Sequence, residues 1–323
     1  MRLQITIGPE AIMIVRNAKK RRWTKNDTQL LTLALPTSIW FAIFAYLPMM
    51  GALIAFKEFR PASGFIKSLF TSRWLGIENF SFLFRNPMIW HVIRNTLLYN
   101  MAIITLGLVV PVTLAIIISE VWNKRLAKFY QTLMFFPFFI SWVVVSALVM
   151  GFLSYDLGIF NKILLFFGGE KRLWYREIAM WPPFLIFMSQ WKGMGYGMVL
   201  YLAAITSLDK TVYEAAIIDG ATKWQQIRKI TLPMLKNIII LMLILSVGRI
   251  FSSDFGLFYQ IPRNTPSLYE TVTTIDVFVY TLLKEASIGM SSASSLVQST
   301  VCCIMTLVVN QVVTKIDPDS AMI

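Results

Sequence analysis

Histidine and cysteine are almost absent from this chain of 323 residues: it has one histidine, His91, and two cysteines, Cys302 and Cys303. A single imidazole rules out a multi-histidine metal site, and His91 reads as an interfacial residue. The two cysteines are adjacent inside an apolar stretch, which excludes a disulfide framework and any metal-ligand spacing. No Gly-Lys pair occurs anywhere, so the phosphate-cradling loop Gly-x-x-x-x-Gly-Lys-Ser/Thr is missing. The chain is therefore not the part of any machine that hydrolyses ATP. No nucleophile–base pair or paired-carboxylate site is found either, so we expect no catalytic residues, no metal and no cofactor in this chain. Charge is scarce as well. Asp, Glu, Lys and Arg make up 15% of residues, against about 25% in a soluble domain.

What remains is oil. The chain is 56% hydrophobic, with a mean hydropathy of +0.63, which places it among integral membrane proteins. Its net charge of +13 would also suit a nucleic-acid binder, but the basic residues cluster in loops flanking apolar runs, so the partner they imply is membrane and not nucleic acid. Six runs are long enough for the ~20 residues a helix needs to cross hydrocarbon: 30–56, 92–119, 129–153, 181–205, 234–255 and 292–314. We expect an all-α protein of six transmembrane helices. Pro36, Pro48, Pro111 and Pro137 lie within these runs and are expected to kink them, since neighbours can satisfy the backbone groups a proline frees.

Charge asymmetry sets the orientation. The N-terminal segment, the second and fourth loops and the tail, with Lys236 at the start of the fifth run, hold 16 Lys and Arg, and the longer first, third and fifth loops hold 11. By the positive-inside rule both termini are cytoplasmic. The domains are then a cytoplasmic segment 1–29, a membrane domain 30–314 with a cytoplasmic loop 207–233, and a tail 315–323. Arg21-Arg22 resembles a twin-arginine signal, but the following apolar run is too long and lacks a cleavage site, which favours an uncleaved first span. Residues 3–15 fit a surface helix or disorder. In the first outer loop, Trp74, Phe80, Phe82, Phe84 and Trp90 suit a headgroup belt or a short helix lying on the membrane. In the fifth, Val277–Leu283 is too short to span and is either an external helix or a re-entrant one.

The fourth loop is the most informative. Asp209 suits the N-cap of a short helix and Gly220 the left-handed residue that closes it. Thr222 and Gln225 have capping-box spacing for a second helix, and Thr231 with Pro233 suits the start of a third. In this frame stand Glu214, Ala215, Ala216, Asp219 and Gly220, then Ile230, Leu232 and Pro233. Glu-Ala-Ala, three residues, Gly, nine residues, Ile-x-Leu-Pro resembles the EAA loop of binding-protein-dependent ABC importer permeases, with seven signature positions filled in a 20-residue window. The bland reading is an ordinary amphipathic loop helix. The likeness extends to Leu35-Pro36, Tyr46-Leu47-Pro48-Met49-Met50-Gly51, Ile54-Ala55-Phe56-Lys57 and Trp74 to Phe80, which resemble the oligosaccharide and polysaccharide branch.

That resemblance implies a multi-pass permease of the bacterial cytoplasmic (inner) membrane, working as a heterodimer with a second permease. It also implies two ATPase subunits, which carry the ATP and Mg, and an external solute-binding protein that delivers the oligosaccharide. Glu214 to Gly220 would dock on the ATPase. The alternatives are an ion-coupled secondary carrier, needing no ATPase, and a scaffold that transports nothing.

For the substrate path, charges inside spans cost about 2.5–3.5 kcal/mol each at a helix centre and are functional candidates by default. Lys192 lies mid-span beside Gln190, Trp191 and Tyr196, and we expect it to line a cavity. Arg249 lines the same route, or it snorkels or pairs with a carboxylate. Gln298, Asn95, Asn100, Ser294 and Ser295 either line the route or act as interhelical glue. Gly193 and Gly197 have the small-x-x-x-small spacing of close helix packing. Cations along the route and on the outer loops would suit a polyuronate of the alginate type.

Overall fold

The computed structural model describes residues 24–61, 64–285 and 287–316. The readings of residues 3–15, of Arg21-Arg22 and of the end of the tail fall outside these. Two compact units divide the chain, Met1–Gly51 and Ala52–Ile323, and each is described by itself.

The first unit is built on α1, Lys25–Phe41. Thr24 and Asp27 cap it reciprocally: the Thr24 hydroxyl accepts the Asp27 N–H at 3.3 Å, and the Asp27 carboxylate accepts the Thr24 N–H at 2.9 Å. Pro36 lies inside the helix without ending it. Ahead of Pro48 the coil widens into a π turn, Ala42–Tyr46. A proline ring strikes the carbonyl four residues earlier, and a wider turn makes room for it. No residue of α1 is buried. Leu33, Trp40 and Phe44 are all more than half exposed, a surface suited to lipid or another subunit.

The second unit begins with two short helices, α2 (Phe65–Thr71) and α3 (Glu78–Arg85). Buried Asn79 ties them to the preceding chain by donating to the Ala55 and Lys57 carbonyls at 2.9 and 3.1 Å. Trp74 pairs with Lys57 in an isolated bridge and remains mostly exposed. Next comes α4, Met88–Ser119, 32 residues with Pro111 inside. Its most extensive partner is a helix further on, Trp181–Thr206. Between the two in sequence lie α5 (Lys124–Phe135), α6 (Trp142–Leu153) and α7 (Ile159–Phe166), so Trp181–Thr206 is α8.

The third apolar run is not one kinked helix. A 3-10 turn, Phe136–Phe139, follows α5, and α6 leaves at 98° to it. Pro137 offers no N–H, Ile140 is extended, and Ser141 caps α6 by accepting the Val144 N–H at 3.4 Å. Pro137 therefore sits at a break, where a kink was expected. The fifth run differs too. After α9 (Lys210–Ile218) and α10 (Lys223–Gln226), the chain passes through a π turn, Ile227–Thr231, and a short turn, Leu232–Met234. It bends by 56° into α11, Lys236–Gly248. Thr231 is thus inside a continuing coil and caps nothing with its side chain. At 1.5 Å per residue α11 is about 20 Å long, short of the ~30 Å hydrocarbon layer by itself.

Beyond α11, residues 249–274 fold over α4 without a long helix. Side chains of α4 hold them: Asn95 donates to the Glu270 and Thr273 carbonyls, Asn100 to those of Ile250 and Ser252, and Tyr99 to that of Thr271. The segment Val277–Leu283 lies in α12, Ile275–Glu285, packed against α4 and the last helix, α13, Ile288–Ile316. Among the described residues, three helical stretches suffice by length and apolarity to cross a membrane: Lys25–Phe56, Met88–Ser119 and Ile288–Lys315. The two bent pairs raise the number to five if each is one span. The remaining expected span, the fourth, lies in α8, which is long enough at 26 residues but has Gln190, Lys192 and three glycines in its middle.

Candidate coupling loop and polar centre

Local chemistry shapes the loop after α8. Asp209 caps α9, its carboxylate accepting the Thr211 N–H at 2.9 Å. That bond holds the Asp209 carboxyl below its usual range. The far end is closed doubly. The Ile217 carbonyl accepts the Gly220 N–H at 3.0 Å, and the Ala216 carbonyl accepts the Ala221 N–H at 2.9 Å. Gly220 has φ +79°, the left-handed turn that this Schellman closure requires. Thr222 and Gln225 make both arms of the expected capping box.

The result is a short stiff helix held out from the bundle. Glu214, Ala215, Asp219 and Gly220 are exposed. So are Ile217 at 58%, Ile218 at 86% and Trp224 at 69%. Glu214 makes no ion pair among the described residues. Ile230 is half-buried, Pro233 is exposed, and Leu232 packs into the cluster of Met198, Tyr201 and Ile238.

Three fastenings were not expected from the sequence. The Tyr213 and Thr231 hydroxyls are 2.9 Å apart, joining α9 to the π turn. Buried Gln226 donates to the Ala221 carbonyl at 3.0 Å. Lys223 pairs with Glu120 at the end of α4, 2.9 Å away. Only Trp224, an aromatic among charges in a polar loop, carries a signal that sequence reading can use.

The polar middle of α8 is arranged differently from expectation. Lys192 donates to the carbonyls of Ile140 at 2.7 Å, Phe138 at 2.8 Å and Pro137 at 3.4 Å. It also stands over the rings of Phe138 and Trp142. Its donors thus satisfy the Phe138 and Ile140 carbonyls at the break and add to the bond that the Pro137 carbonyl already accepts from the Ile140 N–H. Tyr196, one turn on, is exposed and stacks on Phe138 at 4.9 Å. Gln190 turns to α4, donating to the Ile103 carbonyl at 3.2 Å. Trp191 lines an apolar groove with Val145, Val149 and Phe152.

Arg249 is exposed at the end of α11. Gln298 belongs to another node, donating to the Phe251 carbonyl at 2.9 Å and to Asp276 at 3.1 Å. Asp276 also accepts the Ser253 N–H and hydroxyl at 2.6 and 2.9 Å. The six residues therefore form no single lining. Lys192 and Tyr196 share a face, while Gln190 and Gln298, like Asn95 and Asn100, bind backbone. Close packing uses Gly195, whose Cβ would lie 2.0 Å from the Met134 carbonyl oxygen, and Gly197, 2.9 Å from Pro111. Gly193 faces open space.

Comparison with known proteins gives this geometry a context. The profile of the family described as "Binding-protein-dependent transport system inner membrane component" matches residues 107–316. The polygalacturonan/rhamnogalacturonan transport system permease protein YteP of Bacillus subtilis (strain 168) is 33% identical over 309 residues, 95% of this chain and 94% of that protein. Protein LplB of the same organism is 34% identical over 297 residues, 91% of each chain. Among solved structures, a bacterial ABC transporter involved in the import of the acidic polysaccharide alginate matches with a TM-score of 0.81 at 33% identity, covering 91% of this chain and 97% of that one.

Proposed function

The chain belongs to the family of inner membrane components of binding-protein-dependent transport systems, and from that premise we propose that it is one permease of an ATP-driven importer of an acidic oligosaccharide. It is a multi-pass protein of the inner membrane. Components of this kind are not catalytic, and the ATPase is a separate subunit. The ion-coupled carrier and the scaffold lose their footing with this membership.

The finer reading names the parts. The second permease completes a heterodimer, two ATPase subunits take up α9, and an external binding protein presents the substrate. Six crossings, with both termini and the 207–233 loop cytoplasmic, give the orientation. The face of α8 bearing Tyr196 on Phe138, with the Lys192 charge behind it, lines the path. One observation carries the docking role: a capped, Schellman-closed helix that holds Glu214, Ile217 and Ile218 in the open with Trp224 beside them. Apolar residues this exposed beside charged ones mark a protein contact. An alginate-type substrate is supported by the basic outer loops and by relatives whose names concern acidic polysaccharides.

Reconstitution of the full complex in liposomes tests the reading. Uptake of an alginate or galacturonan oligosaccharide should require both ATP and the binding protein. Uptake that persists without ATP and collapses with an uncoupler would overturn it.

A further inference from the structure

At the end of α8 opposite the coupling loop, about 39 Å away along 26 residues, lies an open cavity of about 600 Å³. That is within the roughly 300–1,000 Å³ of small-molecule sites. We propose that this cavity is a receiving subsite for a uronate unit, in which Arg176 and Arg263 take the sugar carboxylate and aromatic rings take its apolar face. The proposal rests on the acidic-oligosaccharide reading above and adds a location that the mid-span residues do not provide.

The walls are built, not incidental. Asn161, 1% exposed, donates to the Tyr155 and Arg172 carbonyls at 3.0 Å each. It accepts the Arg172 N–H and the Trp174 indole N–H, also at 3.0 Å. This locks the segment after α6 to the segment before α8. The Trp181 indole donates to the Trp174 carbonyl at 3.1 Å, and Ser267 donates to that of Tyr175 at 3.2 Å, which adds the third wall.

On that frame the chemistry converges. Arg263 and Asn264 both hold left-handed backbone, φ +56° and +52°, a conformation costly for residues with a Cβ and concentrated at functional sites. Among the described residues neither Arg176 nor Arg263 pairs with a carboxylate. The nearest partner of the Arg263 guanidinium is the Met150 sulfur, at 2.7 Å, a weak acceptor. The Tyr175 hydroxyl is buried and bonds nothing among the described residues. Burial pushes its pKa up against the pull of Arg263, so it stays a neutral donor and acceptor. Two guanidiniums without a carboxylate partner, a phenol with no hydrogen bond among the described residues, and the rings of Trp174 and Tyr155 make a set that reads a carboxylated sugar by forked hydrogen bonds and stacking.

The test uses the complete reconstituted transporter, with alginate and galacturonate tetrasaccharides as probes. R176Q/R263Q should lower their uptake about tenfold or more, since charge-assisted pairs are the strong ones. R176K/R263K should recover only part of it, since lysine keeps the charge but not the fork, and the affinity of the binding protein for the complex should stay within about twofold. Unchanged uptake in R176Q/R263Q, no recovery with lysine, or a matching loss of binding-protein affinity would each overturn the site. The last result would assign the guanidiniums to the binding protein. Wild-type transporter that refuses both acidic tetrasaccharides would defeat the acidic-substrate reading, and the site with it.

Discussion

One ammonium meets three carbonyls at the break between α5 and α6, and that contact sets what Lys192 does. In hydrocarbon an orphaned carbonyl has no water to turn to, so a break is stable only where something donates to it. Lys192 supplies the donors and places positive charge at the C-terminal end of α5 and its 3-10 extension, where the helix dipole favours it. Replacing it with Met leaves the Phe138 and Ile140 carbonyls unsatisfied, while Pro137 keeps the Ile140 N–H, at a cost of about 1–3 kcal/mol. We therefore expect Lys192→Met to lower the thermal midpoint in detergent and to reduce uptake of acidic and neutral sugars alike, with Lys192→Arg intermediate. An unchanged midpoint would return Lys192 to a purely substrate-facing role. Asp276 follows the same logic in the second node, since Asp276→Ala strands the Ser253 N–H and leaves the Gln298 amide only its bond to the Phe251 carbonyl. Its thermal midpoint should fall at least as far as that of Gln298→Ala, which frees Asp276 from only one of its donors.

At the scale of elements, α9 is stiff at both ends, as the proposed docking role requires. Gly220 has open space around it, so a side chain there would clash with nothing, but its φ of +79° is the obstacle. Gly220→Ala should cost about 1–2 kcal/mol locally from the left-handed backbone alone. Gly220→Pro should cost more, because its φ is fixed near −65° and it loses the bond to Ile217. Both should leave the protein in the membrane while substrate-stimulated ATP hydrolysis falls, the proline variant further. Glu214→Lys keeps the helix and reverses its exposed charge, and it too should uncouple hydrolysis from uptake. Normal stimulated ATPase activity in Gly220→Pro and Glu214→Lys would remove the docking role. The Asp209 cap has no part in ordinary pH dependence. Its pKa is lowered on folding, so its contribution is full above the usual aspartate range and is lost only as the pH falls through the depressed value. Coupling efficiency should accordingly be flat between pH 6 and 8 as far as this cap is concerned.

For the molecule as a whole, the proposed coupling loop and the Arg176–Arg263 cavity sit at opposite ends of α8, which packs along α4 more extensively than any other pair of described helices. In the transport cycle we propose, work done on α9 would reach the cavity end through that pair and through the Lys223–Glu120 contact, which fastens α10 to the foot of α4. After Cys302 and Cys303, one half-buried and one exposed, are replaced by serine, a cysteine at Ile218 should cross-link to an ATPase subunit in the assembled complex, and the yield should change with nucleotide. A cysteine at Ile218 that links to no other subunit would contradict the assembly proposed here.

What the sequence determined by itself is whatever short-range chemistry and bulk composition dictate. Thr222 and Gln225 cap one helix, Asp209 caps another and Gly220 ends it, because each acts within a few residues of itself. An apolar run likewise announces burial in lipid whatever its neighbours do. Tertiary structure alone decided where those runs break. Hydropathy reads 129–153 as unbroken, yet Lys192, some fifty residues away, is what makes a 98° break tolerable. It also decided which glycines touch, Gly195 and Gly197 in place of Gly193, and that Asn95, Asn100 and Gln298 hold backbone. The outer cavity was invisible for the same reason, since Arg176 and Arg263 become neighbours only when the segments before α8 and after α11 fold over the end of α6. A hydrogen bond across the bundle depends on where two backbones lie in space, and a linear spacing carries no record of that.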